Sequence, residues 1–343
     1  MGQPSVSGAA PVAATKRCQR EGEVFDSGAA LRTVLFLSPT EGLKDLRWEG
    51  DAMKPISRDT IYFLFSLPAL LLHTLLYALP LGLGVYFSLT NWDGISRSYE
   101  FVGLENYVRI VQDIRFLGSL RTTLLYAVLL VICTLGVSLA LALVLNSKVR
   151  ASTLFRGIYF YPAVLSMLTV GLIFRQIYYH LIPQVGQLTG IAVLQTNLLA
   201  NPDTALYAVL FVNIWQGMGI PMVLFLAGLQ TIPDELIEAA TIDGAGSIRK
   251  FKSIVFPFLI PVFMVTFILT FRNGLIVFDF VRAMTDGGPG RVTEVIGLLI
   301  YRHGIYQNRF AYATAEAVVL FVIIAGMSFL LFKTLGKRQV GQL

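Results

Sequence analysis

Few residues of this 343-residue chain have a type and spacing that could do chemistry, and the informative ones interrupt apolar runs. Asn213 and Gln216 are three residues apart, so one helical face would present both amides, with Trp215, Gly217 and Gly219 beside them and Pro221 below. A later run ends on Thr270, Arg272 and Asn273, followed by Gly274 and Asp279. Amides and hydroxyls next to an aromatic face are the groups that hold polyhydroxy solutes, so these two runs could line a passage. The same side chains have a plainer use: Asn213 and Gln216 can hydrogen-bond neighbouring helices, and Arg272 can extend its head group to an interface. The spacing leaves both uses open.

Little else suggests catalysis. Glu235 and Glu238 lie one helical turn apart in a polar segment and read as a solvated helix face, not an acid/base pair. His73, His180 and His303 are scattered, and Cys18 and Cys133 sit in a polar stretch and inside an apolar run, so neither a metal site nor a disulfide framework is expected. There is no G-x-x-x-x-G-K-[ST] run to cradle ATP phosphates. No cofactor is expected, and the chain is not expected to be an enzyme.

The elements that must position these residues are membrane helices. Hydrophobic residues make up 55% of the chain and charged ones 14%, with a mean hydropathy of +0.68, far from a soluble average. The net charge of +6 comes from bases lying between apolar runs, which read as topology signals and not as a nucleic-acid surface. Apolar runs near the length of about 20 residues needed to cross a bilayer cover 61–89, 120–145, 158–179, 206–229, 254–275 and 313–332. The expectation is an all-α integral membrane protein of about six spans, occupying 53–343. Residues 1–52 read as a disordered tail, and Met53 is an alternative start.

Loop charge sets an orientation. Lys148, Arg150 and Arg156 in the second loop, Arg249, Lys250 and Lys252 in the fourth, Lys54 and Arg58 before the first span, and Lys333, Lys337 and Arg338 after the last all belong inside, so both termini are expected in the cytoplasm. The loop from Asp279 to Ala311 then falls outside, although Arg282, Arg291, Arg302 and Arg309 argue against that side. Its stretch 292–306 is apolar enough to lie in the interface or re-enter the bilayer.

The polar stretch Thr231–Pro261, TIPDELIEAATIDGAGSIRKFKSIVFPFLIP, is caught between two of these runs. Thr231 can cap a helix with Pro233, Asp234 and Glu235 in its first turn, and Gly244 and Gly246 break it. Ile237, Phe251 and Ile254 would offer a partner apolar contacts. The order and spacing of Glu238, Ala239, Ala240, Asp243, Gly244, Ala245, Phe251, Ile254, Pro257 and Pro261 resemble the EAA loop of binding-protein-dependent ABC importer permeases. Met284–Pro289 resembles that family's T-x-G-G-P turn, Ala311–Ala317 the start of its last span, and Phe101–Asp113 the first outer loop of its carbohydrate branch, related to the maltose and glycerol-3-phosphate permeases. The resemblance runs from about Ile61 to the carboxyl end.

This resemblance implies a cytoplasmic coupling helix in which Glu238, Ala239, Ala240, Asp243, Gly244 and Ala245 dock on a separate ATPase. It also implies an inner-membrane location among lipid, a second permease subunit that is often a different chain, two ATPase subunits and an extracytoplasmic solute-binding protein. Asn213, Gln216, Gly217, Thr270, Arg272 and Asn273 become candidates for a sugar passage. A rival of another class, a self-contained proton- or ion-coupled transporter, would need ionisable residues within the spans, and these are nearly free of them.

Overall fold

The computed structural model describes residues 58–147 and 152–335. The expected tail over 1–52, the alternative start at Met53 and the bases Lys54, Lys148, Arg150, Lys337 and Arg338 lie outside the described residues. The chain divides into two units, Met1–Phe65 and Ser66–Leu343. Only helical residues of the first are described, and all packing below belongs to the second.

Among the described residues the structure is helical, apart from one isolated bridge between Thr90 and Phe101. Helix α1 is Tyr62–Ser88, with a π turn at Thr74–Ala78. The short amphipathic α2, Glu105–Gln112, buries Asn106 and Ile110 and leads into α3, Ile114–Asn146. Asp113 caps α3 by accepting the amides of Arg115 and Phe116 at 2.8 and 3.3 Å. Helix α3 is the central post, and its buried face of Tyr126, Ala127, Leu130, Val131 and Leu135 meets the helices that follow.

Two expected spans are broken. In place of one helix over 158–179 there are α4, Ser152–Val164, ending in a 3₁₀ turn, and α5, Met167–Thr189, bent from it by 95°. Leu165 and Ser166 between them are extended. The run over 206–229 becomes α6, Ala205–Gly217, and α7, Gly219–Leu229, at 45°. Pro221 has no N–H for the carbonyl of Gly217, which weakens the helix at this point. A Cβ on Gly219 would lie 2.8 Å from the carbonyl oxygen of Tyr159, so the break also lets the end of α4 cross closely. Both breaks are stitched by polar side chains: Gln216 donates to the Leu165 carbonyl at 2.7 Å, and Ser138 of α3 to the Met218 carbonyl at 2.8 Å. Hydropathy cannot see such breaks, because the residues on either side stay apolar.

After the polar helix α8, Asp234–Ile242, helix α9, Ser247–Leu275, packs along α3 and α7. Small residues set that closeness: a Cβ on Gly274 would lie 2.7 Å from Ala127 Cα, and one on Gly228 would lie 2.8 Å from a Val262 methyl. Then come α10, Asp279–Met284, α11, Ile296–Tyr301, extended by a π turn to Tyr306, and α12, Phe310–Leu335. Four straight helices and the two bent pairs account for up to six crossings.

Much of the stretch 292–306 is packed inside the protein, while Ile305 and Tyr306 at its end are exposed. Val295, Ile296, Leu298 and Leu299 are fully buried against α3 and α12, and α11 is far too short to cross a bilayer. Irregular backbone at membrane depth is stable only when protein encloses it in this way. The outer face of α1, with Leu71, Leu75 and Tyr77 exposed, is a surface that lipid or another apolar chain must cover.

Candidate functional site

Helices α3, α6, α9 and α10 enclose a cavity of about 450 Å³, within the range of small-molecule sites. Of the six residues proposed from the sequence for a passage, Asn213, Gln216, Gly217, Thr270 and Asn273 line it together. Arg272 does not: it is exposed, one residue off the face that carries Thr266, Thr270 and Asn273 at helical spacing. The plainer use of the amides is also present, since Asn213 donates to the Tyr126 hydroxyl at 2.9 Å and Gln216 to Leu165. Each amide therefore serves two purposes, packing its neighbour while facing the cavity.

Asp279, at the end of the run noted in the sequence, belongs to the same wall, as do Thr134 and Thr266, which were not singled out from the sequence. Thr134 is one of several hydroxyls along α3, and only the crossing of α3 with α6 and α9 brings it to the others. Thr266 turns its hydroxyl back to the carbonyls of Val262 and Phe263 at 2.9 and 3.0 Å. Thr134 Oγ1 and Gln216 Oε1 are buried with no protein partner. Trp215, placed beside the amides by sequence, instead packs on Phe174 with ring centroids 5.2 Å apart.

The second candidate region is the α8–α9 turn. Helix α8 starts at Asp234 with Pro233 as its N-cap, and Asp234 and Glu235 occupy the first turn. Thr231 does not cap it: its hydroxyl donates to the Gly228 carbonyl at 2.8 Å, closing α7. The residue before a proline resists helical backbone, so the new helix cannot begin at Ile232. At the other end Gly244 has φ +76°, its amide donates to the Thr241 carbonyl at 3.0 Å, and Ala245 donates to the Ala240 carbonyl at 2.9 Å. These bonds make a Schellman closure around a left-handed glycine. Gly246 has an ordinary negative φ and heads α9, so it starts a helix where the sequence suggested a break. Lys250 ties the turn together by donating to the Thr241 hydroxyl at 2.9 Å.

Glu238, Ala239, Asp243 and Gly244 are exposed, and Ala240 and Ala245 half-buried. The apolar residues turned outward are not Ile237, Phe251 and Ile254, which are half-buried within the chain, but Ile242 and Ile248, 86% and 74% exposed. The short α8 and the sharp turn rotate these two onto the free side, which no periodicity argument across the break could supply.

Residues 132–340 match the family model of the binding-protein-dependent transport system inner membrane component. This chain belongs to that family. It is similar to the multiple sugar-binding transport system permease protein MsmF of Streptococcus mutans, 39% identical over 276 residues, which covers 80% of this chain and 95% of that protein. The sn-glycerol-3-phosphate transport system permease protein UgpA of Yersinia pestis is 30% identical over 283 residues, covering 80% and 94%. The fold matches a chain of the crystal structure of a bacterial ABC transporter for import of the acidic polysaccharide alginate, with a TM-score of 0.70 at 19% identity, covering 84% of this chain and 98% of that one. A permease subunit of this family is the membrane component of an ABC importer, and ATP hydrolysis belongs to separate ATPase subunits.

Two of the four arginines that strained the orientation argument, Arg282 and Arg302, are ion-paired inside the permease. Glu294, 2% exposed, accepts Arg115 Nε and a second Arg115 nitrogen at 2.8 and 2.7 Å, and Arg302 at 2.5 Å. Arg302 also donates to the Asp286 carbonyl at 2.6 Å, and Arg282 pairs with the Asp286 carboxylate. Burial would raise the Glu294 carboxyl, but Arg115 and Arg302 outweigh it and hold it below the ordinary carboxylate range. Burial likewise opposes Asp113, yet the Tyr312 hydroxyl at 3.0 Å and the amides of Arg115 and Phe116 keep it low. Arg309 lies over the Tyr312 ring, 4.3 Å from its centroid. Bases neutralised in this way carry little weight as topology signals.

One ionisable group inside a span escaped the sequence reading. Glu316 of α12 is fully buried and bonded to His303 Nδ1 at 2.9 and 3.0 Å, which pins the π turn after α11 to the last span. It lies outside the cavity lining.

Proposed function

We propose that this permease carries a sugar, or a related polyol or oligosaccharide, through the cavity between α3, α6 and α9. An extracytoplasmic solute-binding protein would deliver the solute, and ATPase subunits docked at Glu238, Ala239, Ala240, Asp243, Gly244 and Ala245 would drive the cycle. Two ATPases and a second permease subunit complete the assembly in this reading, with residues 53–343 as the permease domain and both termini in the cytoplasm. The relatives named for sugar and sn-glycerol-3-phosphate transport support the solute class. The positive loops around α4 and α9 support the orientation.

The observation that carries the reading is the continuity of α9. Its first turn follows Gly246 at the coupling turn, and its last turns hold Thr270 and Asn273 on the cavity wall. At 1.5 Å per residue the 23 steps from Ser247 to Thr270 span roughly 35 Å, so one element joins the two regions. Helix α9 is wedged on α3 and α7 by Gly274 and Gly228, and packed cores switch between discrete arrangements more readily than they deform. A displacement of the coupling turn would thus reach the cavity as movement of a whole helix against α3 and α7. ATP closing the ATPases would bias the permease between inward-open and outward-open packings.

The test is reconstitution. The purified chain should hydrolyse no ATP, and the complex co-purified with its ATPases should hydrolyse ATP and take up solute in proteoliposomes when the binding protein is present. Robust hydrolysis by the chain alone would overturn the proposal.

A further inference from the structure

The short helix α2 presents three sides, and two of them ask for different surroundings. It buries Asn106 and Ile110, exposes Val108 and Val111 on a second side with Leu104 just before them, and exposes Glu105, Arg109 and Gln112 on a third. At about 100° per residue the apolar and polar sides stand roughly a quarter-turn apart. A helix packed on protein along one side, and divided between apolar and polar along the rest, fits the boundary where hydrocarbon meets water.

Its depth agrees. Asn106 donates to the carbonyls of Ser88 and Thr90 at 2.9 and 2.8 Å, which lays α2 across the end of α1. Phe87, Trp92, Tyr99 and Phe310 gather at the same end, with the Trp92 ring centroid 4.5 Å from that of Phe87 and 5.2 Å from that of Phe310. Clustered Trp and Tyr at the ends of spans mark the headgroup level of a bilayer.

The apolar side does not stop at α2. Val111, 71% exposed, is followed by Ile114, 85% exposed, from which Leu117, Leu125, Val128 and Ile132 continue at helical spacing down the free side of α3, a helix long and apolar enough to cross the membrane. One base interrupts this side. Arg121 is exposed, has neither a hydrogen bond nor an ion pair among the described residues, and lies about 10 Å along the helix from Ile114. Among exposed apolar side chains at that depth a guanidinium needs an anion, and its length lets it reach back toward α2, the level at which lipid phosphates lie.

We infer that α2 is an interfacial anchor: Leu104, Val108, Val111 and Ile114 sink into the acyl edge of the bilayer, and Arg121 holds a phospholipid phosphate at their foot. Either leaflet satisfies the geometry, and the orientation proposed above makes it the outer one. Asn106 holds the end of α1, Asp113 caps α3, and the Tyr312 hydroxyl of α12 donates to Asp113 at 3.0 Å, so an anchored α2 sets the ends of three spans at one depth.

The experiment places a nitroxide on a single cysteine, Val111→Cys or Gln112→Cys, in the full chain carrying Cys18→Ala and Cys133→Ala, in nanodiscs of phosphatidylcholine and phosphatidylglycerol. Both positions are exposed, so neither label has to displace packing. Power saturation compares collisions with oxygen, which concentrates in the bilayer, and with a nickel chelate, which stays in water. Oxygen should lead at Val111 by at least threefold, and nickel at Gln112. Nickel leading at both would overturn the inference, and shielding of Val111 from both reagents would overturn it in favour of a second copy covering the stripe. Phosphorus retained per chain after exchange into phosphate-free detergent should fall at least twofold in Arg121→Leu and recover in Arg121→Lys. Equal retention in Arg121→Leu, shown to be folded by gel filtration, would overturn the assignment of a phosphate to Arg121.

Discussion

Replacing Gly244 tests whether force enters the permease at the α8–α9 turn. Gly244 has φ +76°, and a Cβ built on it meets no atom within 4 Å, so a side chain there costs the isolated chain backbone strain and no clash. For an L-residue in left-handed backbone that strain is about 1–2 kcal/mol, and less for Asn, whose side chain tolerates this region. A folded domain with roughly 5–15 kcal/mol in hand survives it. Gly244→Leu should therefore reach the membrane at normal levels, melt slightly lower, and lose solute uptake by tenfold or more. Gly244→Asn and Gly244→Ala divide the causes. If the left-handed turn is what matters, Asn transports and Ala is impaired; if the partner needs the space, Ala is the milder change and both Asn and Leu lose ATPase from the purified complex. Uptake per ATP hydrolysed in proteoliposomes, with ATPase content read from the same preparation, distinguishes assembly from coupling. Normal uptake by Gly244→Leu at normal expression would refute the reasoning, because it would take the coupling turn out of the transmission path.

Glu294→Gln leaves Arg115 and Arg302 facing each other without a carboxylate and should destabilise the detergent-solubilised chain by roughly 3 kcal/mol, the low end for a broken buried pair because both arginines keep some solvent contact; an unchanged melting temperature would show that the cluster holds nothing. Glu294 and Asp113 are both held below the usual carboxylate range, so the stability they lend is present above about pH 4 and lost as pH falls through their lower folded values. Melting of the wild type should drop across that acid window, with a smaller drop in Glu294→Gln. Gly274→Ala forces a methyl to 2.7 Å from Ala127 Cα and should cost about 1–3 kcal/mol, whereas Gly82→Ala, with nothing within 4 Å, should melt at or slightly above the wild type. A reporter near Arg249 should label as cytoplasmic and one near Asn201 as external, and the reverse at Arg249 would remove the coupling argument.

The apolar runs, the EAA loop and the pair Asn213 and Gln216 were legible in the chain because they are local. Span length depends on hydropathy summed over about 20 residues, a helix face on spacing, and a left-handed turn on a glycine at its end. Thus five of the six passage candidates share one wall, and α8 closes at Gly244, where the sequence expects the break. Arg272 failed because one step along a helix turns a side chain by about 100°. What the sequence could not carry depends on contacts between distant segments. The breaks at Leu165 and Met218 are bridged by Gln216 and Ser138, whose side chains reach these two carbonyls from other helices. Arg282 and Arg302 of the 279–311 loop look like topology signals until Glu294 and Asp286 are seen to neutralise them. Thr134 is one hydroxyl among many until α3 crosses α6 and α9. Burial inside protein, where backbone and charge can be satisfied by partners far away in the chain, is a property of the packed molecule, and local pattern holds no trace of it.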